Sequence, residues 1–146
     1  MPATSDFDDL QAGHAFPPET VVTAVSRMDW VQYAGASGDF NPMHSDEAAA
    51  KAAGLPSVFG HGMFTAGVLA TALTRRFGVG SLRRLKVRFA KQVWPEEAMI
   101  CAVTVTKVHD DGGERRAELT CTMKNAAGEL QIAGEATVSL SARAGA

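Results

Sequence analysis

Cysteine, a charge excess of one sign and long hydrophobic runs are all scarce in this sequence, and each shortage narrows what the chain can be. Only two cysteines occur among 146 residues. Cys101 and Cys121 each fall in an alternating apolar run (Met99, Cys101, Val103, Val105 and Leu119, Cys121, Met123). Both are therefore read as buried strand residues, not as a pair with metal or redox spacing, in a chain suited to a reducing compartment. Fourteen Lys and Arg against sixteen Asp and Glu leave a net charge of -2, which argues against a protein whose main task is to hold a nucleic-acid backbone. The longest apolar stretch, MFTAGVLATAL from Met63, is too short to span a bilayer and runs into Arg75 and Arg76. The N-terminal MPATSDFDDL is acidic and has no apolar core, so no signal peptide is expected and the cytoplasm is the expected location.

What the chain does have is hydrophobic patterning of two periods, without repeats or an internal linker, which predicts a single domain over residues 1–146. Only the first few residues and the terminal SARAGA look frayed. TVVTAV (20–25) has strand composition, and Ser26 with Asp29 forms a capping-box pattern for a short helix that runs out at Gly38. Asp46 can cap a second short helix, EAAAKAAG, with Gly54 as its left-handed stop. A longer helix is expected from near His61 to about Phe77, ended by Gly78 and Gly80. Its small residues Ala66, Gly67, Ala70 and Ala72 would let it lie close against something flat.

From Ser81 onward alternation of period two dominates: Leu85, Val87, Phe89; the Met99 series; Ala117, Leu119, Cys121, Met123; and Ile132, Gly134, Ala136, Val138. HDDGGE and NAAGE read as hairpin turns. The result is an α+β fold in which about five antiparallel strands wrap one long central helix. A single sheet layer leaves edges to cover, so a dimer is expected.

Between the first two helix patterns stands SGDFNPMHSD, residues 37–46. Gly38 and Pro42 stop helix there, so the segment should be a rigid loop holding the Asp39 carboxylate and the His44 imidazole a short distance apart. Addition of water to a polarised double bond needs such a pair, one group to take a proton from water and one to give a proton to carbon. Asn41 could orient either group by a side-chain hydrogen bond, and Tyr33 and Ser37 stand where they could bond into the loop. In GHGM (60–63), Gly62 and Met63 open the long helix, where free amides would meet an ester or thioester carbonyl and stabilise the enolate by roughly 3 kcal/mol per donor. Each residue alone has an ordinary alternative: Asp39 and Asn41 as turn formers, His44 as a surface histidine, Asp46 as a helix cap. Asp39, His44 and His61 could also serve as metal ligands, but their spacing lacks the compactness of a zinc site, so no metal is expected.

YAGASGDFNPMHSD, AGLPSVFGHGM and LKVRFAKQVWPEE together resemble the MaoC-like family of hot-dog-fold (R)-specific enoyl-CoA hydratases and (3R)-hydroxyacyl-ACP dehydratases, from about Leu10 to Leu140. The resemblance implies that Asp39 and His44 are the catalytic pair, that Gly62 binds the thioester oxygen and that Asn41 is the motif asparagine; beside them Met63 is the second candidate for the thioester oxygen, and Ser37 and His61 are candidate supporting residues. Glu96-Glu97 departs from the family's Gly-Asp turn. No cofactor is implied. The implied substrate is an acyl-CoA or acyl-carrier-protein thioester, and the implied assembly a homodimer or a heterodimer. Between positions 75 and 91 lie Arg75, Arg76, Arg83, Arg84, Lys86, Arg88 and Lys91 with no acid, and Arg84, Lys86 and Arg88 share the strand parity facing away from the core. Such a stripe would draw the phosphates of CoA or an acidic carrier. A hot-dog thioesterase and a non-catalytic partner subunit are the competing readings; the complete GDFNPMH stretch disfavours the first, and retention of both Asp39 and His44 the second.

Overall fold

The computed structural model describes residues 7–140, so the expected fraying of residues 1–6 and 141–146 lies outside the described residues. A 3-10 turn (Phe7–Asp9) and β1 (Glu19–Val22) lead into α1 (Arg27–Ser37), a second 3-10 turn (Pro42–His44) and α2 (Glu47–Ala52). The long helix α3 (Gly62–Phe77) follows, and then β2 (Leu82–Phe89), β3 (Met99–Asp111), β4 (Glu114–Lys124) and β5 (Leu130–Ser139). The five strands form one antiparallel sheet in the order β1-β3-β4-β5-β2. This is the expected architecture of one sheet packed on one long helix.

Local chemistry sets most boundaries. The Ser26 hydroxyl accepts from the Asp29 amide while the Asp29 carboxylate accepts from the Ser26 amide, closing the capping box, and Gly38 ends α1 in the left-handed region. Asp46 accepts from the amides of Ala48 and Ala49 and so starts α2. Gly112 and Gly113, both at positive φ, make the two-residue turn between β3 and β4. The first strand is shorter than TVVTAV suggested. It ends at Val22, and Val25 is buried elsewhere, with Trp30, Ala50, Val58 and Val93. Upstream of β1, residues 13–16 also bond to β3 through Val103 and Val105, an extension the composition did not signal.

The main core lies between α3 and the sheet. Leu69, Leu73 and Phe77 meet the inward-facing Met99, Cys101, Val103 and Val105 of β3, Leu119, Cys121 and Met123 of β4, and Ile132, Ala136 and Val138 of β5. Each fully buried aliphatic side chain is worth about 1.5–3 kcal/mol. Burial pushes the Cys101 thiol up to about 11 and the Cys121 thiol to about 12, so both stay protonated at neutral pH and behave as small hydrophobes. The small residues of α3 are divided: Ala66 and Ala72 face the sheet, whereas Gly67 lies on the exposed side with open space around it. Close approach is provided instead by the sheet, where a Cβ on Gly134 would stand 3.0 Å from Leu69 Cδ2. The smaller Trp30 cluster holds α1, α2 and the 55–60 loop beside this core. The N-terminus of α3 emerges where the two clusters meet.

Candidate active site

The GDFNP stretch is held by short-range hydrogen bonds at a spacing of two. Ser37 Oγ accepts from the Asp39 amide (3.1 Å), Asp39 Oδ1 from the Asn41 amide (3.2 Å), and Asn41 Oδ1 from the Met43 amide (3.1 Å). Three side-chain oxygens thus fold the backbone back at every second residue, which is why small polar residues alternate here. Pro42 then starts the 3-10 turn that carries His44. Asn41 differs from expectation: its side chain caps that turn and bonds neither to the Asp39 carboxylate nor to the imidazole, and it is its backbone amide that donates to Asp39 Oδ1.

His44 is nearly buried, and its Nδ1 lies 2.7 Å from the Phe59 carbonyl. A carbonyl only accepts, so Nδ1 carries a proton, and it is Nε2 that presents the lone pair in the neutral tautomer. That nitrogen stands 4.0 Å from Asp39 Oδ2, whose side chain is 53% exposed. The gap is too wide for a direct hydrogen bond and right for one water bonded to both groups. His61, 2% exposed, stacks on His44 with ring centroids 3.9 Å apart and donates from Nε2 to the Asp39 carbonyl (3.0 Å), leaving its Nδ1 buried without a partner. Tyr33 meets the site with its ring, packed on His61 and Phe64, while Ser37 is the residue that bonds into the loop.

Gly62 and Met63 are the first residues of α3, and their amides have no intrahelical acceptor. Tyr33, Ser37, Asp39, His61, Gly62, Met63 and Phe89 line one open depression of ≈ 560 Å³. Its floor therefore joins the carboxylate to two free amides at a helix N-terminus, an arrangement able to hold water on one side and an oxyanion on the other.

Three residues matter to this geometry in ways that the sequence did not signal. Phe59 supplies the carbonyl that fixes the His44 tautomer. Phe89, placed by parity with the core residues Leu85 and Val87, is instead 50% exposed and lies across Gly62, where an added Cβ would come within 3.1 Å of its ring. Gly60 lets Trp30 approach: a Cβ there would stand 2.6 Å from the indole nitrogen.

One ligand atom from each of Asp39, His44 and His61, the three residues the sequence offered as possible metal ligands, lies within 4.8 Å of the others, closer than their spacing along the chain suggested. His44 Nδ1 and His61 Nε2 are bonded to carbonyls, which leaves His44 Nε2, His61 Nδ1 and the Asp39 carboxylate as the atoms free to ligate. The basic stretch is also changed by folding. Arg84, Lys86 and Arg88 are exposed as expected, but Arg76, Arg83, Lys86 and Lys91 reach Glu19, Glu114, Glu135 and Glu129. Arg75, Arg84 and Arg88 remain without an ion pair among the described residues.

With this geometry in view, comparison with known proteins gives a consistent family. Residues 10–127 match the model of the MaoC-like domain. The chain belongs to the MaoC-like family. This MaoC-like chain is similar to the (R)-specific enoyl-CoA hydratase of Rhodospirillum rubrum, 31% identical over 139 residues that cover 94% of the chain and 92% of the relative. It is 40% identical over 77 residues to 3-hydroxyacyl-thioester dehydratase X of Mycobacterium tuberculosis, covering 53% of the chain and 27% of that protein's length. Among solved structures, the (R)-hydratase of A. caviae involved in PHA biosynthesis superposes with a TM-score of 0.77 at 26% identity, over 91% of this chain and 98% of that one. A MaoC-like dehydratase superposes at 0.82 with 32% identity, over 96% of this chain and 43% of that one. The fold is thus the hot-dog arrangement of these hydratases. No helix of the described residues is long and apolar enough to cross a membrane.

Proposed function

We propose that this MaoC-like chain adds water reversibly across the C2–C3 double bond of trans-2-enoyl thioesters, giving (3R)-3-hydroxyacyl thioesters. The observation that carries this reading is the facing pair, Asp39 Oδ2 and His44 Nε2 at 4.0 Å, beside the free amides that open α3. Water held between the pair bonds to C3 through its oxygen as it yields a proton to the pair. The π electrons move to C2 and the thioester oxygen, which the Gly62 and Met63 amides receive, and the pair returns one proton to C2. Both groups end as they began, so no other reactant is required. Asn41 and Ser37 position Asp39 and His44 through the loop backbone, and His61 donates to the Asp39 carbonyl while its ring stacks on the imidazole of His44.

The acyl group is carried by CoA or by an acyl carrier protein, with Arg84 and Arg88 as the cations left to meet phosphate or acidic side chains. The working unit of this reading is a dimer of two identical chains, each a single domain, acting in the cytoplasm.

The test follows the absorbance of the conjugated enoyl thioester on mixing with crotonyl-CoA and longer trans-2-enoyl-CoAs. Wild type should bleach the band without releasing free thiol, and Asp39→Asn and His44→Ala should each slow it by about 10²–10⁴-fold. Thiol release instead would make the chain a thioesterase. Unchanged rates in both variants would remove the pair from the mechanism.

A further inference from the structure

Two histidines of the candidate site are held in complementary ways, and the water chemistry uses only one of them. His44 gives an Nδ1 proton to the Phe59 carbonyl (2.7 Å), and His61 gives an Nε2 proton to the Asp39 carbonyl (3.0 Å). In the neutral rings the lone pairs therefore stand at His44 Nε2 and His61 Nδ1. The first faces the Asp39 carboxylate at 4.0 Å; the second, on a side chain only 2% exposed, is buried with no donor to meet it. The rings stack with centroids 3.9 Å apart and planes tilted by 32°, and one ligand atom from each of Asp39, His44 and His61 lies within 4.8 Å of the others. Histidines that ligate a metal donate their other ring nitrogen to a carboxylate, a backbone carbonyl or water, which fixes tautomer and ring orientation. Both rings meet that condition here.

Bonds of about 2.0–2.2 Å to a shared ion would draw three such atoms closer together. The imidazoles are tied to carbonyls, so the member free to close on the ion is Asp39, whose side chain is 53% exposed. The N-terminus of α3 disfavours a cation, but the Asp39 carboxylate offsets it, and none of the residues lining the depression is Lys or Arg. Two imidazoles with one carboxylate suit Zn²⁺, Co²⁺, Ni²⁺ or Cu²⁺, whereas Mg²⁺ and Ca²⁺ take shells of oxygen. Three protein ligands leave a fourth position open to water. We propose that Asp39, His44 and His61 form an inhibitory site for a divalent transition metal of the Zn²⁺ class, which takes the place of the water between Asp39 and His44. The binding stands on the geometry alone; the inhibition rests on the hydratase reading above.

The experiment strips the full chain with EDTA, desalts it and titrates it with Co²⁺, whose visible d–d absorption intensifies in a four-coordinate site. Asp39→Asn and His61→Phe are compared with wild type and with His14→Ala, an exposed histidine outside the site, and a thermal melt of each establishes folding. Wild type should give a spectrum that saturates at one Co²⁺ per chain, disappears on adding Zn²⁺ and withstands excess Mg²⁺. His14→Ala should match it, and Asp39→Asn and His61→Phe should each weaken binding by about tenfold or more. Asp39→Asn carries the test if His61→Phe does not fold. No spectrum, a spectrum that Asp39→Asn and His61→Phe both retain, or one that His14→Ala removes would overturn the site, whatever the activity of the chain. On crotonyl-CoA, saturating Zn²⁺ should slow hydration by about 10²-fold or more, and EDTA should restore it. Undiminished hydration by the Zn²⁺-loaded chain would overturn the inhibition. A chain that binds Co²⁺ as expected and hydrates no enoyl-CoA would refute the hydratase reading, and the inhibition with it, and leave the metal site standing.

Discussion

Single residues here divide into those that line the candidate site and those that make room for them. Gly60 and Gly62 stand two apart in GHGM and do different things: Gly62 offers its amide to the depression, while Gly60 lets the fully buried Trp30 indole lie against the chain. Adding one methyl at position 60 puts Cβ 2.6 Å from Trp30 Nε1 and 2.8 Å from Cε2, and the indole is fully buried. Overpacking of this kind costs about 1–3 kcal/mol. Gly60→Ala should therefore lower the unfolding midpoint clearly in denaturant titration; a midpoint equal to wild type would mean that the Trp30 cluster is loose. The same variant would disturb His61, the next residue, which is stacked on His44. The site and the satellite core thus share one stretch of backbone.

At the scale of elements, the contact between α3 and the sheet decides where the helix N-terminus points. Gly134 sits in β5 opposite Val87 and Cys121, and Leu69 fills the place of its missing side chain. An alanine there meets Leu69 Cδ2 at 3.0 Å, which a rotation of the leucine can relieve; a valine also crowds the Lys86 carbonyl and Cys121. Stability should fall in the order wild type, Gly134→Ala, Gly134→Val, with the last losing about 1–3 kcal/mol. Thermal melts of the three check this, and a Gly134→Val protein as stable as wild type would show that α3 is free to lift. The far end of the sheet is tied by charge. Arg83 of β2 and Arg116 of β4 both bind Glu114, holding its carboxyl down at about 2, and Arg116 also reaches Asp111 across the hairpin.

At the scale of the whole molecule, the sheet ends in β2, whose outer edge has no strand beside it among the described residues. Phe40, Met63 and Phe89, all large and exposed, stand around or next to the depression. An unpaired edge next to exposed apolar side chains is stabilised when a second copy pairs with it about a two-fold axis. Light scattering on the purified chain should return twice the 15.4 kDa monomer mass. A monomer at micromolar concentration would sink the homodimer and turn attention to a different partner chain.

The sequence by itself determined the elements and the chemical parts. Caps, glycine stops and the two hydrophobic periods are local, governed by hydrogen bonds within a few residues, so α1, α2, α3 and the apolar runs of the three long strands were legible, although the run of β3 stops at Val105 and the strand continues to Asp111. The short separation of Asp39 and His44 was legible for the same reason, since the loop between them is folded by its own side chains. Tertiary structure alone decided the rest. His44 takes its tautomer from a carbonyl fifteen residues away, His61 reaches the Asp39 carbonyl twenty-two residues away, and the basic stretch loses much of its free charge to glutamates on other strands. Phe89 obeys the alternation of its strand and still leaves the core, because the strand ends where Gly62 opens a space for its ring. Periodicity reports which face a residue takes; what waits on that face depends on chain packing that no local pattern encodes.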